Sequence, residues 1–411
     1  MKIFTGLQRE KGHLQYDPCS RKENFVKNKN LYFDNAATSW PKPESVYLSA
    51  EKYLRNIYGN PGRTGNTRSL EANRLLYNAR EQLASFFNSP DPSQFVFTLN
   101  ATDALNMAIK GVLDSGDHVI FTSMEHNSVL RPIGSLHRQN HIETTMIPAD
   151  REGNPDLNFY EQSFRPHTKL VVCNHASNVL GTLLPVDIII EIAHRRGALV
   201  LVDAAQTSGV LPINLDKMNP DLMAFAGHKG LLGPPGSGGL YVRKGIKIKP
   251  WREGGTGSHS DSDQQPENMP ERLEAGTLNG PGIAGLIEGI KYINKIGLEN
   301  IRHHDLSLLF KLRKGLEKIP GLKLHGPSDY RNSVAVLSFT IDNIDCGEIG
   351  DILENSFGII CRTGLHCAPL AHQAAGTFPE GTIRLSPGHF TTDEDIEFVL
   401  QAVQKISSSK I

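Results

Sequence analysis

The chain has 411 residues, with 43 lysines and arginines against 44 aspartates and glutamates. That length can bury a large core, and a formal net charge of −1 gives no reason to expect a nucleic acid or an anionic membrane as partner. No apolar run approaches the roughly 18–20 residues of a membrane span, the N-terminus is too weakly apolar for a signal peptide, and five scattered cysteines without CxxC spacing argue against a disulfide framework or a zinc site and for a reducing cytoplasm.

Residues 1–30 are polar and lack periodicity, and read as an extended arm. In residues 31–50, Tyr32-Phe33 suits a short strand and Asp34-Asn35 a turn, and Trp40-Pro41-Lys42-Pro43 breaks the chain before a helix near Glu44. Tyr58–Gly65 has the Gly/Pro/Asn content of a loop. Apolar residues at Leu70, Leu75, Leu76, Ala79, Leu83 and Phe87 predict an amphipathic helix over 69–87. Phe95–Thr98 reads as a strand that passes through Asn100-Ala101-Thr102 into a second helix. The free N–H groups at such a helix start suit a phosphate, and equally an ordinary cap. His118–Thr122 is the next strand, leading to Glu125-His126-Asn127, where an imidazole taken alone is a surface residue. Leu170–Cys173 leads to Asn174–Gly181, and Pro185 opens a helix that Gly197 ends. Repeated strand–helix alternation predicts an α/β fold with a mostly parallel sheet covered on both faces.

The stretch from Ala198 to Val242 carries the densest chemistry. Two buried strands, Ala198–Val202 and Leu222–Ala226, end in Asp203 and Gln206 and in His228 and Lys229. Ligands bind at the carboxyl ends of strands in open parallel sheets. A lysine there can form a Schiff base with pyridoxal phosphate, and a carboxylate can pair with the pyridinium nitrogen so that the ring acts as an electron sink. Singly, a lysine after a strand is a surface residue and an aspartate a helix cap; the composite is what points to the cofactor. The glycine loop 233–239 lacks the Gly-Lys-Ser/Thr close of a nucleotide loop.

Arg252 to Pro270 reads as a mobile loop, Glu274–Asn279 as a turn, and 281–296 as a helix. From Gly297 a smaller α+β unit follows, with helices over 298–319, 346–357 and 393–406 and a strand over 334–340. Boundaries of 51–296 for a large domain and 297–411 for a small one are expected, with 31–50 packing beside the latter. Near its end, Arg362-Thr363-Gly364-Leu365-His366-Cys367-Ala368 sits in a Gly/Pro-bounded loop, and Arg384 ends a strand. Two guanidinium groups can offer planar, charge-assisted hydrogen bonds to an amino-acid carboxylate; a cysteine alone reads as a small buried hydrophobe.

Together YFDNAAT, Asp203-Ala-Ala-Gln206, Gly227-His228-Lys229 and Arg362-Thr-Gly-x-His-Cys367-Ala resemble class V, fold-type I pyridoxal-phosphate enzymes, and more narrowly type II cysteine desulfurases, over nearly everything from Tyr32 onward. That fold is a large domain with a mostly parallel seven-stranded sheet flanked by helices, plus a small α+β domain. The resemblance implies Lys229 as the Schiff-base lysine, Asp203 at the ring nitrogen and Gln206 at the ring oxygen. It places His126 on the ring, Ala101, Thr102 and His228 toward the phosphate, and Asn178 beside ring and substrate. It implies Arg384 as the main carboxylate ligand with Arg362 assisting, and Cys367 as the thiol that takes sulfur from L-cysteine as a persulfide, leaving L-alanine. A homodimer, with Thr277 reaching the partner's cofactor phosphate, and a protein sulfur acceptor are implied too. Ala226 stands where the family often carries a hydroxyl, and Leu365 where related motifs often carry histidine. The rival readings are a selenocysteine lyase, another class V chemistry such as an aminotransferase or epimerase, and a catalytically weak sulfur-relay subunit.

Overall fold

Runs such as Leu170–Cys173, Leu199–Val202 and Leu222–Phe225 are apolar at every position rather than at alternate ones, the pattern of strands covered on both faces. The computed structural model describes residues 30–57, 59, 67–257 and 261–408; the expected arm, most of the 58–65 loop and part of the 252–270 loop lie outside the described residues.

In chain order, β1 (Leu31–Tyr32) is followed by α1 (Glu44–Asn56), α2 (Thr67–Phe86), β2 (Phe95–Thr98), α3 (Ala101–Val112), β3 (His118–Thr122), α4 (Asn127–Arg138), β4 (Glu143–Ile147) and α5 (Leu157–Gln162). Then come β5 (Thr168–Asn174), α6 (Val186–Arg195), β6 (Leu199–Asp203), α7 (Leu215–Met218), β7 (Leu222–Ala226), β8 (Gly238–Val242) and α8 (Gly280–Ile296). The remainder is α9 (Leu298–Leu316), β9 (Leu322–His325), β10 (Leu337–Ile341), α10 (Cys346–Phe357), β11 (Ile359–Ile360), β12 (Arg362–Gly364), α11 (Pro369–Ala375), β13 (Thr382–Leu385) and α12 (Asp393–Ser408).

Seven strands form one sheet in the order β2-β8-β7-β6-β5-β3-β4, with β8 alone antiparallel to its neighbours. Each face has its own core. Phe87, Phe95, Val171, Val200 and Phe225 belong to one, and Leu105, Ile109, Leu170, Leu201 and Leu240 to the other. This is the α/β architecture expected from the strand–helix alternation. Strands β4, β8, β9, β11 and β12 and helices α4, α5, α7 and α11 are not announced by the sequence pattern. Strand β4 is half-exposed at the sheet edge and rich in threonine, so its apolar signal is weak.

A second, antiparallel sheet of order β12-β13-β10-β9 packs with α9, α10 and α12 around Leu312, Phe339, Ile349, Leu353 and Val399. Phe33 belongs to that same core, and β1 pairs in parallel with β11 through Leu31–Ile359 and Tyr32–Ile360. The segment just after residue 30 is thus joined to elements more than 300 residues away.

Candidate active site

Because β5, β6 and β7 run parallel, their carboxyl ends meet at one edge, bringing Asn174, Asp203 and the turn after Ala226 together. A cavity with about 510 Å³ of free space opens there, and Ala101, Thr102, His126, Asn178, Asp203, Gln206, His228 and Lys229 all line it. Thr277 does not; in the isolated chain its side chain is exposed.

Lys229 is half-buried, and burial lowers its amine to about 8, with Arg384 and Arg362 pushing the same way and Asp203 opposing. A lysine so placed is still mostly protonated near neutral pH, but its free-amine fraction is far larger than that of an ordinary lysine. Asp203 accepts the Ala205 N–H at 2.9 Å; burial raises its carboxyl, opposed by that bond and by Lys229.

His126 caps α4. Its Nδ1 accepts the Ser128 N–H at 3.1 Å, so the proton of the neutral ring sits on Nε2. Burial, then Lys229 and Arg362, lower the imidazole to about 4. The Ser128 hydroxyl lies 2.7 Å from the same Nδ1 and 2.8 Å from the Thr102 hydroxyl. His228 is likewise lowered to about 4 by burial, then Lys229 and Lys42. Both imidazoles are therefore neutral at physiological pH, and neither brings a standing positive charge to a phosphate.

The donor set fits pyridoxal phosphate. The first turn of α3 presents backbone N–H groups that have no partner inside a helix, beside the hydroxyls of Thr102 and Ser128. Those two hydroxyls stand in the same cavity as Ala226, which has none to offer. The Gln206 amide is held by donating to the Ala36 carbonyl at 3.0 Å.

Cys367 lies on the turn between β12 and α11, and it and His366 both have left-handed backbone, with φ of 61° and 47°. Side chains rarely adopt that region, and the turn is held from two sides. The Asn127 N–H donates to the Cys367 carbonyl at 2.7 Å, and the Asn178 amide donates to the His366 carbonyl at 2.7 Å. Arg362 donates to the Cys367 sulfur at 3.1 Å. A second opening, lined by Cys367, shares Thr102, His126 and Ser128 with the lysine cavity.

Arg362 and Arg384 are cross-strand partners in the β12–β13 pair. Arg384 is fully buried; it donates to the Asp34 carboxylate at 2.5 Å and to the Asn178 carbonyl at 2.9 Å, while its Nε has no partner among the described residues. Asp34, Asn127 and Ser128 were not singled out from the sequence as site residues. Asp34 and Arg384 are 350 positions apart, so no local pattern announces the pair. The Ser128 link does have a signal, a Ser two residues after a capping His.

The parallel sheet, the lysine after one strand end and the carboxylate on the next define a pyridoxal-phosphate enzyme of fold type I. The aminotransferase class V family profile matches residues 31–399, and the chain belongs to that family. It is 35% identical to a probable cysteine desulfurase of Methanothermobacter thermautotrophicus, over 92% of this chain and 95% of the relative. It is 33% identical to a cysteine desulfurase of Escherichia coli, over 91% and 93%. The apo structure of a cysteine desulfurase from Thermococcus onnurineus superposes with a TM-score of 0.86 at 32% identity, covering 92% and 95% of the two chains.

Proposed function

We propose that this protein is a cysteine desulfurase that releases L-alanine from L-cysteine and keeps the sulfur on Cys367. The observation that carries the reading is the Arg362–Cys367 contact at the mouth of an opening that shares three residues with the Lys229 cavity. An aminotransferase has no use for such a thiol.

Lys229, Asp203, the α3 N-terminus with Thr102, and His126 would hold pyridoxal phosphate. Bound there, the group supplies an electron sink that stabilises negative charge at the substrate's α-carbon. The Lys229 amine takes the α-proton and later returns one. Asp203 keeps a negative charge at the cavity end of β6. Arg384 and Arg362 orient the substrate carboxylate, and Asn178 fixes both Arg384 and the Cys367 turn. The Cys367 thiolate attacks the substrate sulfur. An S–S bond forms, the C–S bond breaks, and its electron pair stays with the carbon fragment, which takes up a proton on the way to alanine. The sum is cysteine plus enzyme thiol giving alanine plus enzyme persulfide. Class V chains of this kind are read as cytoplasmic homodimers that pass the sulfur to an acceptor protein, with Thr277 serving the partner's cofactor phosphate; we extend that reading here.

The test is alanine release from L-cysteine under reductant by wild type and Cys367→Ala. Alanine from wild type alone supports the proposal, equal release by both removes Cys367 from it, and release by neither leaves the family and overturns the substrate. A mass gain of one sulfur on the Cys367 peptide, absent in Lys229→Ala, checks the order of steps.

A further inference from the structure

The Trp40-Pro41-Lys42-Pro43 break does more than end a strand. The carbonyl of His228, in the peptide bond joined to Lys229, receives donors from this segment and the residues just before it. The Ser39 N–H reaches it at 3.0 Å, the Thr38 hydroxyl at 3.1 Å, the Ser39 hydroxyl at 3.2 Å and the Lys42 ammonium at 3.2 Å. Lys42 also donates to the Ser39 carbonyl at 3.0 Å and hydroxyl at 2.9 Å, so each of its three N–H groups has an oxygen to meet.

A carbonyl oxygen has two lone pairs. Thr38 and Ser39 suffice to fill them, so a lysine is not required to satisfy this peptide. Lys42 is half-buried, and among the described residues no carboxylate pairs with it. Such a charge costs free energy to bury; burial alone lowers its amine to about 8. Any of several neutral residues would close the turn more cheaply. What lysine adds is positive charge against the His228–Lys229 peptide.

We propose that Lys42 is a positioning residue for Lys229, fixing the His228–Lys229 peptide and setting the electrostatic environment of the amine through it. This rests on Lys229 being the residue that binds pyridoxal phosphate. The charged groups facing Lys229 are Asp203 of β6, Arg384 of β13, Arg362 of β12 and Asp34 of the N-terminal segment; those facing His228 are Lys229 and Lys42, so Lys42 acts on the amine through the His228 peptide. Lys42 is the cation contributed from the N-terminal side of the turn. Its loss removes a positive charge from the His228 carbonyl, which favours the protonated form of the group at Lys229.

The experiment adds pyridoxal phosphate to full-length apoprotein and follows the visible band of the cofactor joined to Lys229, both its rate of appearance and the pH midpoint of its colour change. Lys42→Met is expected to slow capture about threefold or more and to raise the midpoint by about half a pH unit, with Lys42→Arg restoring the midpoint. Wild-type rate and midpoint in a folded Lys42→Met protein would overturn the proposal. If that variant does not fold, Ser39→Ala decides. It removes the hydroxyl shared by Lys42 and the His228 carbonyl while keeping every charge, so slower capture at an unshifted midpoint is expected, and an unchanged rate counts against the clamp. Wild type without a band, or Lys229→Ala with one, would instead sink the assignment of Lys229.

Discussion

Arg362 donates to the sulfur of Cys367 across 3.1 Å, a side-chain contact that ties the thiol to β12. A guanidinium at that distance offers the sulfur a charge-assisted donor and fixes its direction. Replacing Arg362 with glutamine is expected to slow alkylation of Cys367 by iodoacetamide about tenfold at fixed neutral pH. Cys173 and Cys361 serve as internal references. Burial raises both thiols, Cys361 to about 12, so peptide mapping should find the label at Cys367 and spare them. Equal rates in the variant and wild type would show that the contact does not activate the sulfur.

The Arg384–Asp34 pair predicts a loss of stability as well as of substrate binding. Arg384 is wholly buried, and its partner is the carboxylate at 2.5 Å. Asp34→Asn leaves the guanidinium without a counter-charge, which costs about 3 kcal/mol when a buried pair is broken from one side. A denaturant melt measures this. In the same variant KM for the amino acid should change, because the freed guanidinium is no longer held in one direction.

Asp203→Asn keeps an acceptor for the Ala205 N–H but removes the charge at the end of β6. Turnover is expected to fall by about 10²–10³ with the fold intact. A variant with normal kcat would mean that the electron sink does not depend on this carboxylate.

Glu125 supplies the pH dependence. It is fully buried between β3 and β5, where its Oε1 accepts from the Thr122 hydroxyl at 2.6 Å and the Asn174 N–H at 2.9 Å, while its Oε2 has no partner among the described residues. Burial, with a smaller push from Asp203, raises its carboxyl to about 8. The folded chain therefore holds a proton here that the unfolded chain releases above about 4.5, so this group's contribution to stability falls as pH rises from there toward 8. Glu125→Gln keeps the acceptor oxygen and cannot ionise. Its melting temperature relative to wild type should climb between about pH 5 and pH 8; a flat difference would place the charge on Glu125 at all these values.

Gly209 has φ of +82°, and a Cβ there would sit 2.3 Å from the Gly230 carbonyl oxygen, in the turn that carries Lys229. Gly209→Ala is expected to destabilise the chain by about 1–3 kcal/mol and to slow cofactor capture, with the melt and the visible band as readouts.

Much of this site is visible in the sequence, because strand ends in a parallel sheet converge by rule. Asp203, Lys229, His126 and Asn178 each follow a buried apolar run, and the sheet order brings those ends together. What is hidden depends on distance along the chain or on local conformation. Asp34 meets Arg384 through β1 and β13, and Ser128 matters only because His126 turns back to cap α4. Strand β12 is three residues, Arg362-Thr363-Gly364, that read equally as loop, and β8 is two glycines before Leu240-Tyr241-Val242, too short a signal to separate from the preceding glycine loop. The left-handed pair His366–Cys367 has no signal in residue type.

The parallel pairing of β1 with β11 bears on how such enzymes can be recombined. Residues 31–43 share a core with the C-terminal units through Phe33, hold Arg384 through Asp34 and grip the His228 carbonyl through Thr38, Ser39 and Lys42. A chimera that exchanges residues 297–411 with a relative while keeping its own first strand would mismatch both contacts at once. The exchangeable module is discontinuous: the crossover that preserves the Phe33 core contact and the Asp34–Arg384 pair carries 31–43 along with the C-terminal block.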